Sequence, residues 1–367
     1  MSTTQPSHIA TLGLFEKRLP GDDCLLELAR LRFLEARMGA EIHAATPEQL
    51  DWLMHFRPWD DAPVVIHLPR DFHLLDERSQ KAIVDLATRA AGRVSGLVLH
   101  DHQALVARRA ECIDAAWKLD AQLEKIQRGP RLFIEYAVGL EPGDFIQFFA
   151  SILDLDNLSA CIDIGHVGIR AARVAYGEKH PGEDLCALKS QPARLRVLMP
   201  EIEAAIERGA AVTLELIEAL CRLKRPLHFH LHDAHPLSTS SPFAVSDHLS
   251  FEAEVPIPFE YKGRRTVPLM FGPGGLSKLI ARTIELMGKR PVSFTLEIHP
   301  TTEREPLGDA TALFEHWQDK ANAEQMNHWL LVLSRNHLLL RDAIQAATPQ
   351  PADAHPSTTD SETACSI

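Results

Sequence analysis

The chain has 367 residues, of which 45% are apolar and 24% charged, with 19 Gly and 24 Pro. This composition excludes disorder, a collagen repeat or a coiled coil as a description of the whole. Lys plus Arg number 38 against 50 for Asp plus Glu, a formal charge of −12, which argues against a broad basic surface for nucleic acid or anionic lipid.

In chain order, Met1–Ser7 is polar and reads as a disordered N-terminus without a basic or apolar leader pattern. Short apolar or β-branched runs then predict strands at His8–Phe15, Gly39–His43, Pro63–His67, Gly96–His100, Arg131–Glu135, Leu158–Asp163, Leu227–His232 and Val292–Glu297. Helical periodicity predicts helices at Asp23–Arg37, Asp76–Ala91, Ala104–Ile126, Pro142–Leu153, Ala193–Arg208, Ala211–Leu223 and Gly275–Met287. Eight strand-helix units point to an α/β fold, a (β/α)8 TIM barrel occupying residues 8–346 as a single domain.

The loops after strands six and seven are extended, and Val255–Pro258, Tyr261–Arg265 and Thr266–Met270 read as a hairpin around Lys262-Gly263 that could serve as a lid. Two more helical segments, Asp309–Ala321 and Glu324–Ala346, follow the last strand; the second carries Leu330, Leu331, Leu333, Leu338 and Leu339, a stripe suited to the barrel wall or to a homo-oligomer contact. Residues 347–367 are rich in Pro, Ala, Ser, Thr and Asp and read as a disordered tail. No apolar run is long enough to span a membrane. Cys24, Cys112, Cys161, Cys186, Cys221 and Cys365 form no C-x-x-C pair, so neither a disulfide framework nor a thiolate zinc site is expected, and the setting expected is cytoplasmic.

In such a barrel, chemistry collects at the C-terminal ends of the strands. Here those ends carry His43, His67, His100, Glu135, Asp163 with His166 just beyond, and Glu297. On strand seven, Leu227, Phe229 and Leu231 alternate with His228, His230 and His232. A single strand-end histidine is more often structural than a ligand. A row of them pointing into a barrel must be hydrogen-bonded or metallated, since an unsatisfied buried polar group costs about 1–3 kcal/mol. Carboxylates mixed with imidazoles suit Mn, Zn, Fe or Co. His228 and His232 read as core or as outer partners of the ligands. Gly272-Pro273-Gly274-Gly275 lacks phosphate-loop spacing and reads as a turn into the last barrel helix.

At Phe133-Ile134-Glu135, Cys161-Ile162-Asp163-Ile164-Gly165-His166, His230-Leu231-His232-Asp233, Gly272-Pro273-Gly274 and Thr295-Leu296-Glu297-Ile298-His299, the chain resembles the xylose isomerase-like TIM-barrel superfamily. That superfamily includes sugar phosphate isomerases and epimerases and the endonuclease IV-type apurinic-site nucleases. The resemblance to the epimerase branch implies one divalent ion held by Glu135, Asp163, His230 and Glu297. Glu135 and Glu297 would then exchange a proton through an enediolate on a sugar or other polyhydroxy carbonyl compound, with His166 holding a hydroxyl of this small-molecule substrate. Separately, the basic cluster Lys262, Arg264 and Arg265 reads as surface charge from which Arg264 could reach a substrate phosphate if its loop folds over the mouth.

The nuclease branch implies two or three ions. Its further ligands would be His67, His100, His166, Asp247 and His248, although Asp247 is followed directly by His248 where that branch has an intervening residue. A multinuclear-metal phosphoester hydrolase is therefore the alternative, and an iron-dependent oxidase on the same barrel a third reading.

Overall fold

A computed structural model describes residues 8–12, 31, 38–55, 63–137, 139–238, 248–298 and 323–348. The chain is mixed α/β. Strands β1 (His8–Leu12), β2 (Gly39–His43), β3 (Val64–His67), β4 (Gly96–His100), β5 (Arg131–Glu135), β6 (Leu158–Asp163) and β7 (Leu227–Leu231) are joined by β10 (Val292–Leu296). All eight pair in parallel, in the order β1-β10-β7-β6-β5-β4-β3-β2, and close on themselves. The result is compatible with a TIM-like barrel. Of the helix predicted at Asp23–Arg37 only Leu31 is described, in helical conformation; the helix predicted at Asp309–Ala321 and residues 1–7 and 349–367 lie outside the described residues.

Between the strands run α1 (Pro47–His55), α2 (Glu77–Ala90), α3 (Arg109–Leu123), α4 (Pro142–Ala150), α5 (Ile164–Lys179), α6 (Pro192–Arg222) and α7 (Gly272–Met287), with α8 (Ala323–Ala347) after the last strand. Local chemistry sets several starts: Asp76 accepts from Ser79 N at 2.8 Å to cap α2, and Pro142 occupies the first turn of α4. The alternation of each strand sorts its side chains. Outward residues such as Ile66, Leu97, Leu99, Ile134, Ile162, Phe229 and Phe294 join the large core beneath the helices. Inward residues Val65, Val98, Phe133 and Cys161 form a small separate cluster inside the barrel.

Two expectations are corrected. The helices predicted at 193–208 and 211–223 are one continuous helix, α6. The apparent break at Gly209 is a close crossing with α5, where a Cβ would stand 2.5 Å from the carbonyl of Gly168. The second concerns the apolar stripe of α8, which divides: Leu333 and Leu340 are buried, whereas Leu331 and Leu338 are exposed.

The predicted hairpin is present as β8 (Glu254–Tyr261) and β9 (Arg264–Pro268), antiparallel around Lys262 and Gly263, both at positive φ. It is held to the flank of α6: Tyr261 Oη and Lys262 Nζ both donate to Glu203, at 3.0 and 2.8 Å. Val255, Ile257, Phe259 and Val267 fill a second apolar cluster there. Among the described residues, no helix is long and apolar enough to cross a membrane, and Cys112, Cys161, Cys186 and Cys221 are buried thiols.

Candidate metal centre

The parallel register brings the strand-end residues into one patch: His43 pairs with His67, His100 with Glu135, and Asp163 with His230. Every residue expected to hold a first ion is there. One ligand atom from each of Glu135, Asp163, His230 and Glu297 lies within 4.8 Å of the others. A second group, His67, His100 and Glu135, shares Glu135 with the first; a third, Asp163, His166, His232 and His248, shares Asp163. Two further groups, Cys161, His228 and His230, and Glu41, His67 and His230, overlap these, so the donors form one continuous patch.

The separations within these groups are those of ligands around a common point. Two atoms each about 2.1 Å from a tetrahedral ion stand about 3.4 Å apart. His67 Nε2 and His100 Nε2 lie 3.5 and 3.4 Å from Glu135 Oε2. His166 Nε2 lies 3.5 Å from Asp163 Oδ2, and between the third group and the first His248 Nε2 lies 3.6 Å from Glu297 Oε1. Closer pairs occur as well: His232 Nε2 is 2.9 Å from Asp163 Oδ1, a hydrogen bond that an ion seated there would replace.

In three of the rings the outer nitrogen is already engaged, which fixes the proton on that side. His67 Nδ1 donates to its neighbour's carbonyl, Leu68 O, at 3.1 Å, and His232 Nδ1 donates to Asp233 O at 3.1 Å. His230 Nε2 faces Glu41 Oε1 at 3.0 Å. In all three the remaining nitrogen faces the centre beside a carboxylate, and an ion bound there would displace its proton and take its lone pair.

Glu41, which sequence reading passed over, is the hub of this support. It is fully buried on β2, and it also faces His228 Nε2 at 3.3 Å and accepts from Thr295 Oγ1. The available signal was parity, because Glu41 stands two residues before His43 and shares its face of the strand. The same parity with His230 marks His232, read from sequence as core or as an outer partner, as a member of the third group.

Backbone detail explains how these side chains reach their places. Asp163 caps α5, accepting from His166 N at 2.8 Å, so one carboxylate starts the helix and faces the centre. Gly165 leaves room for His232, since a Cβ there would come within 2.0 Å of the imidazole. Asp233 exchanges backbone hydrogen bonds with Leu249 at 2.8 and 2.9 Å, returning the loop that carries His248 to the mouth. Its carboxylate accepts from Phe271 N and Gly272 N, at 3.1 and 2.6 Å, and anchors the glycine-rich turn at the start of α7. Burial, only partly offset by those amides, raises Asp233 to about 7. Asp247 lies outside the described residues. Arg264 is exposed on the hairpin and pairs with Glu254 at 3.6 Å, apart from the three groups.

The electrostatics call for added positive charge. Glu41, Glu135, Asp163 and Glu297 are all buried, and among the described residues the groups facing them at ion-pair distance are imidazoles. Burial opposes ionisation of Glu41, Glu135 and Glu297, yet the charge of His230 beside them holds all three below the usual carboxylate range. Burial likewise opposes protonation of His230, and the surrounding thiol and carboxylates overcome it, raising His230 well above the ordinary value. His100 is instead lowered to about 4 by burial. Glu135 Oε2 and His230 Nδ1 are buried without a well-aligned hydrogen bond among the described residues, although Glu297 Oε2 lies 2.7 Å from that nitrogen. Orphaned donors of this chemistry fit divalent transition ions.

No protein-family model matches the chain, and no curated protein matches it significantly.

Proposed function

We propose that this chain is a metal-dependent enzyme on a (β/α)8 barrel whose centre takes two or three divalent transition ions, and that it hydrolyses phosphoesters. The observation that supports this reading is that Glu135 and Asp163 each belong to two overlapping groups of buried donors, so that either could serve more than one ion; hydrolytic two-metal centres hold their ions about 3.5–4 Å apart. Ions held there supply Lewis-acid activation of water and of a phosphoryl oxygen.

The chain's own residues set the rest. Glu41 orients His230, the backbone carbonyls of Leu68 and Asp233 orient His67 and His232, and Glu135 and Asp163 each serve two groups. A second reading, a one-ion isomerase or epimerase using enediolate proton transfer, is supported by Glu135 Oε1 and Glu297 Oε2, which flank His230 Nδ1 at 3.2 and 2.7 Å. Two adjacent carboxylates could act there as acid and base.

Elemental analysis of protein purified without chelator separates the two. Two or three ions, with loss in Glu135→Gln and in His67→Ala or His100→Ala, is the expected result. One ion, lost in Glu135→Gln and retained in both histidine variants, would move the assignment to the isomerase. Iron in a multinuclear centre would direct the next assays to oxidation.

A further inference from the structure

Beside the centre, between the end of β2, helix α1 and the end of β3, lies a cavity of about 490 Å³. That volume is in the range of small-molecule sites. His67 lines both this cavity and the second ligand group, so a molecule held at that group can extend into the cavity without crossing solvent. Its walls are chemically unlike the centre. Ala44, Leu53 and Pro69 are apolar, Trp52 presents a half-exposed indole, and Gln49 contributes an amide whose Oε1 accepts from Ala45 N at 2.8 Å. His43 lines it beside His67, and no Asp, Glu, Lys or Arg is among the described lining residues.

A polyhydroxylated or charged substituent would lose its hydration here with few partners to replace it. A flat apolar ring would bury its faces against the indole and the aliphatic walls, gaining on the order of 25 cal/mol per Å². We infer that the substrate carries a planar apolar or aryl group, which this cavity takes while the polar reacting group sits at the ligand group containing His67. The inference rests on the metal-centre reading for the position of the reacting group, and on the cavity alone for the aryl preference.

Two titrations test it. On metal-replete protein, phenylphosphonate is expected to bind about 10-fold or more tightly than methylphosphonate, and this ratio should fall to within about 2-fold of unity in Trp52→Ala and in Ala45→Phe, which plugs the cavity. On chelator-treated protein, the neutral arene 2-naphthol, followed by its fluorescence, is expected to bind about 5-fold or more weakly in either variant than in wild type. A wild-type phosphonate ratio near unity, or a preference and a naphthol affinity untouched by both substitutions, would overturn the aryl assignment. Elemental analysis keeps the two readings apart. Cavity-dependent naphthol binding by a chain that holds no metal retains the aryl site and removes the metal centre, whereas two or three ions with no cavity-dependent binding does the reverse.

Discussion

The lower and upper halves of the barrel interior are both lined with imidazole and carboxylate, yet they treat those groups differently. In the lower half, His228 has a partner on each nitrogen, Ser293 Oγ at 2.7 Å and Glu41 Oε2 at 3.3 Å, and Glu41 itself is met by His228, His230 and Thr295. Nearer the mouth, Glu135 Oε2 and His230 Nδ1 lack an aligned hydrogen bond, although Glu297 Oε2 lies 2.7 Å from that nitrogen, and His67 and His100 stand about a ligand-to-ligand separation from Glu135. The strand seven residues His228 and His230 belong to one alternating run, so residue type does not separate them. Between these two neighbours the difference is that His228 has an aligned hydrogen-bond partner on each nitrogen and His230 on only one.

The contrast can be broken from below. Glu41→Leu removes the partner of two buried imidazoles and a hydroxyl, and should cost about 3–5 kcal/mol in denaturant unfolding. It should also weaken metal affinity about 10–100-fold by releasing His230. Unchanged metal affinity in a folded Glu41→Leu protein would mean that His230 needs no support from the lower layer.

It can also be sharpened from above. In Gly165→Ala the new methyl group overlaps the place of the His232 ring, so the third ligand group should lose its ion while the group containing His67 and His100 keeps its own. The expected destabilisation is about 1–3 kcal/mol, since one side chain has to move. Metal content resolved against metal concentration checks this.

The pH dependence of metal binding follows from the same rings. Burial works against protonation of His67, His230 and His232, but the neighbouring carboxylates outweigh it, and all three are raised above 6.5. A raised imidazole holds its proton more firmly in the metal-free protein, and an ion must displace that proton. Affinity should therefore fall as pH decreases, beginning above pH 6.5, by about tenfold per pH unit for each proton released. His100, lowered to about 4, adds nothing in that window. A pH-independent isotherm between neutral and mildly alkaline conditions would contradict the assignment of these rings as ligands.

The smallest effect belongs to the lower layer. Ser293→Ala removes one partner of His228 and should cost about 1 kcal/mol, read as a shift in the unfolding midpoint, with metal content unchanged.

Much of this was legible before any coordinates. Strand positions followed from short apolar runs, and the ends carrying Glu135, Asp163, His166, His230 and Glu297 were read as a metal site because chemistry-bearing residues recurred where strands stop. Glu41 was not, since one Glu inside the short segment Gly39–His43 looks unremarkable until the register puts it beneath His230. His232 was undervalued for a related reason: its role depends on Gly165, whose missing side chain makes room for the ring. Gly209 misled in the opposite direction, resembling a helix break while permitting a helix crossing.

Alternation along each strand is a local, period-two property of the backbone, so the sequence by itself determined which residues face into the barrel and that nitrogen and oxygen donors accumulate at its mouth. Which donors share a centre was decided only by the tertiary structure. That grouping depends on the register between strands far apart in the chain, on the loop pairing that returns His248 to the mouth, and on which ring nitrogens find a second partner. These are distances set by packing, and no spacing along the chain encodes them.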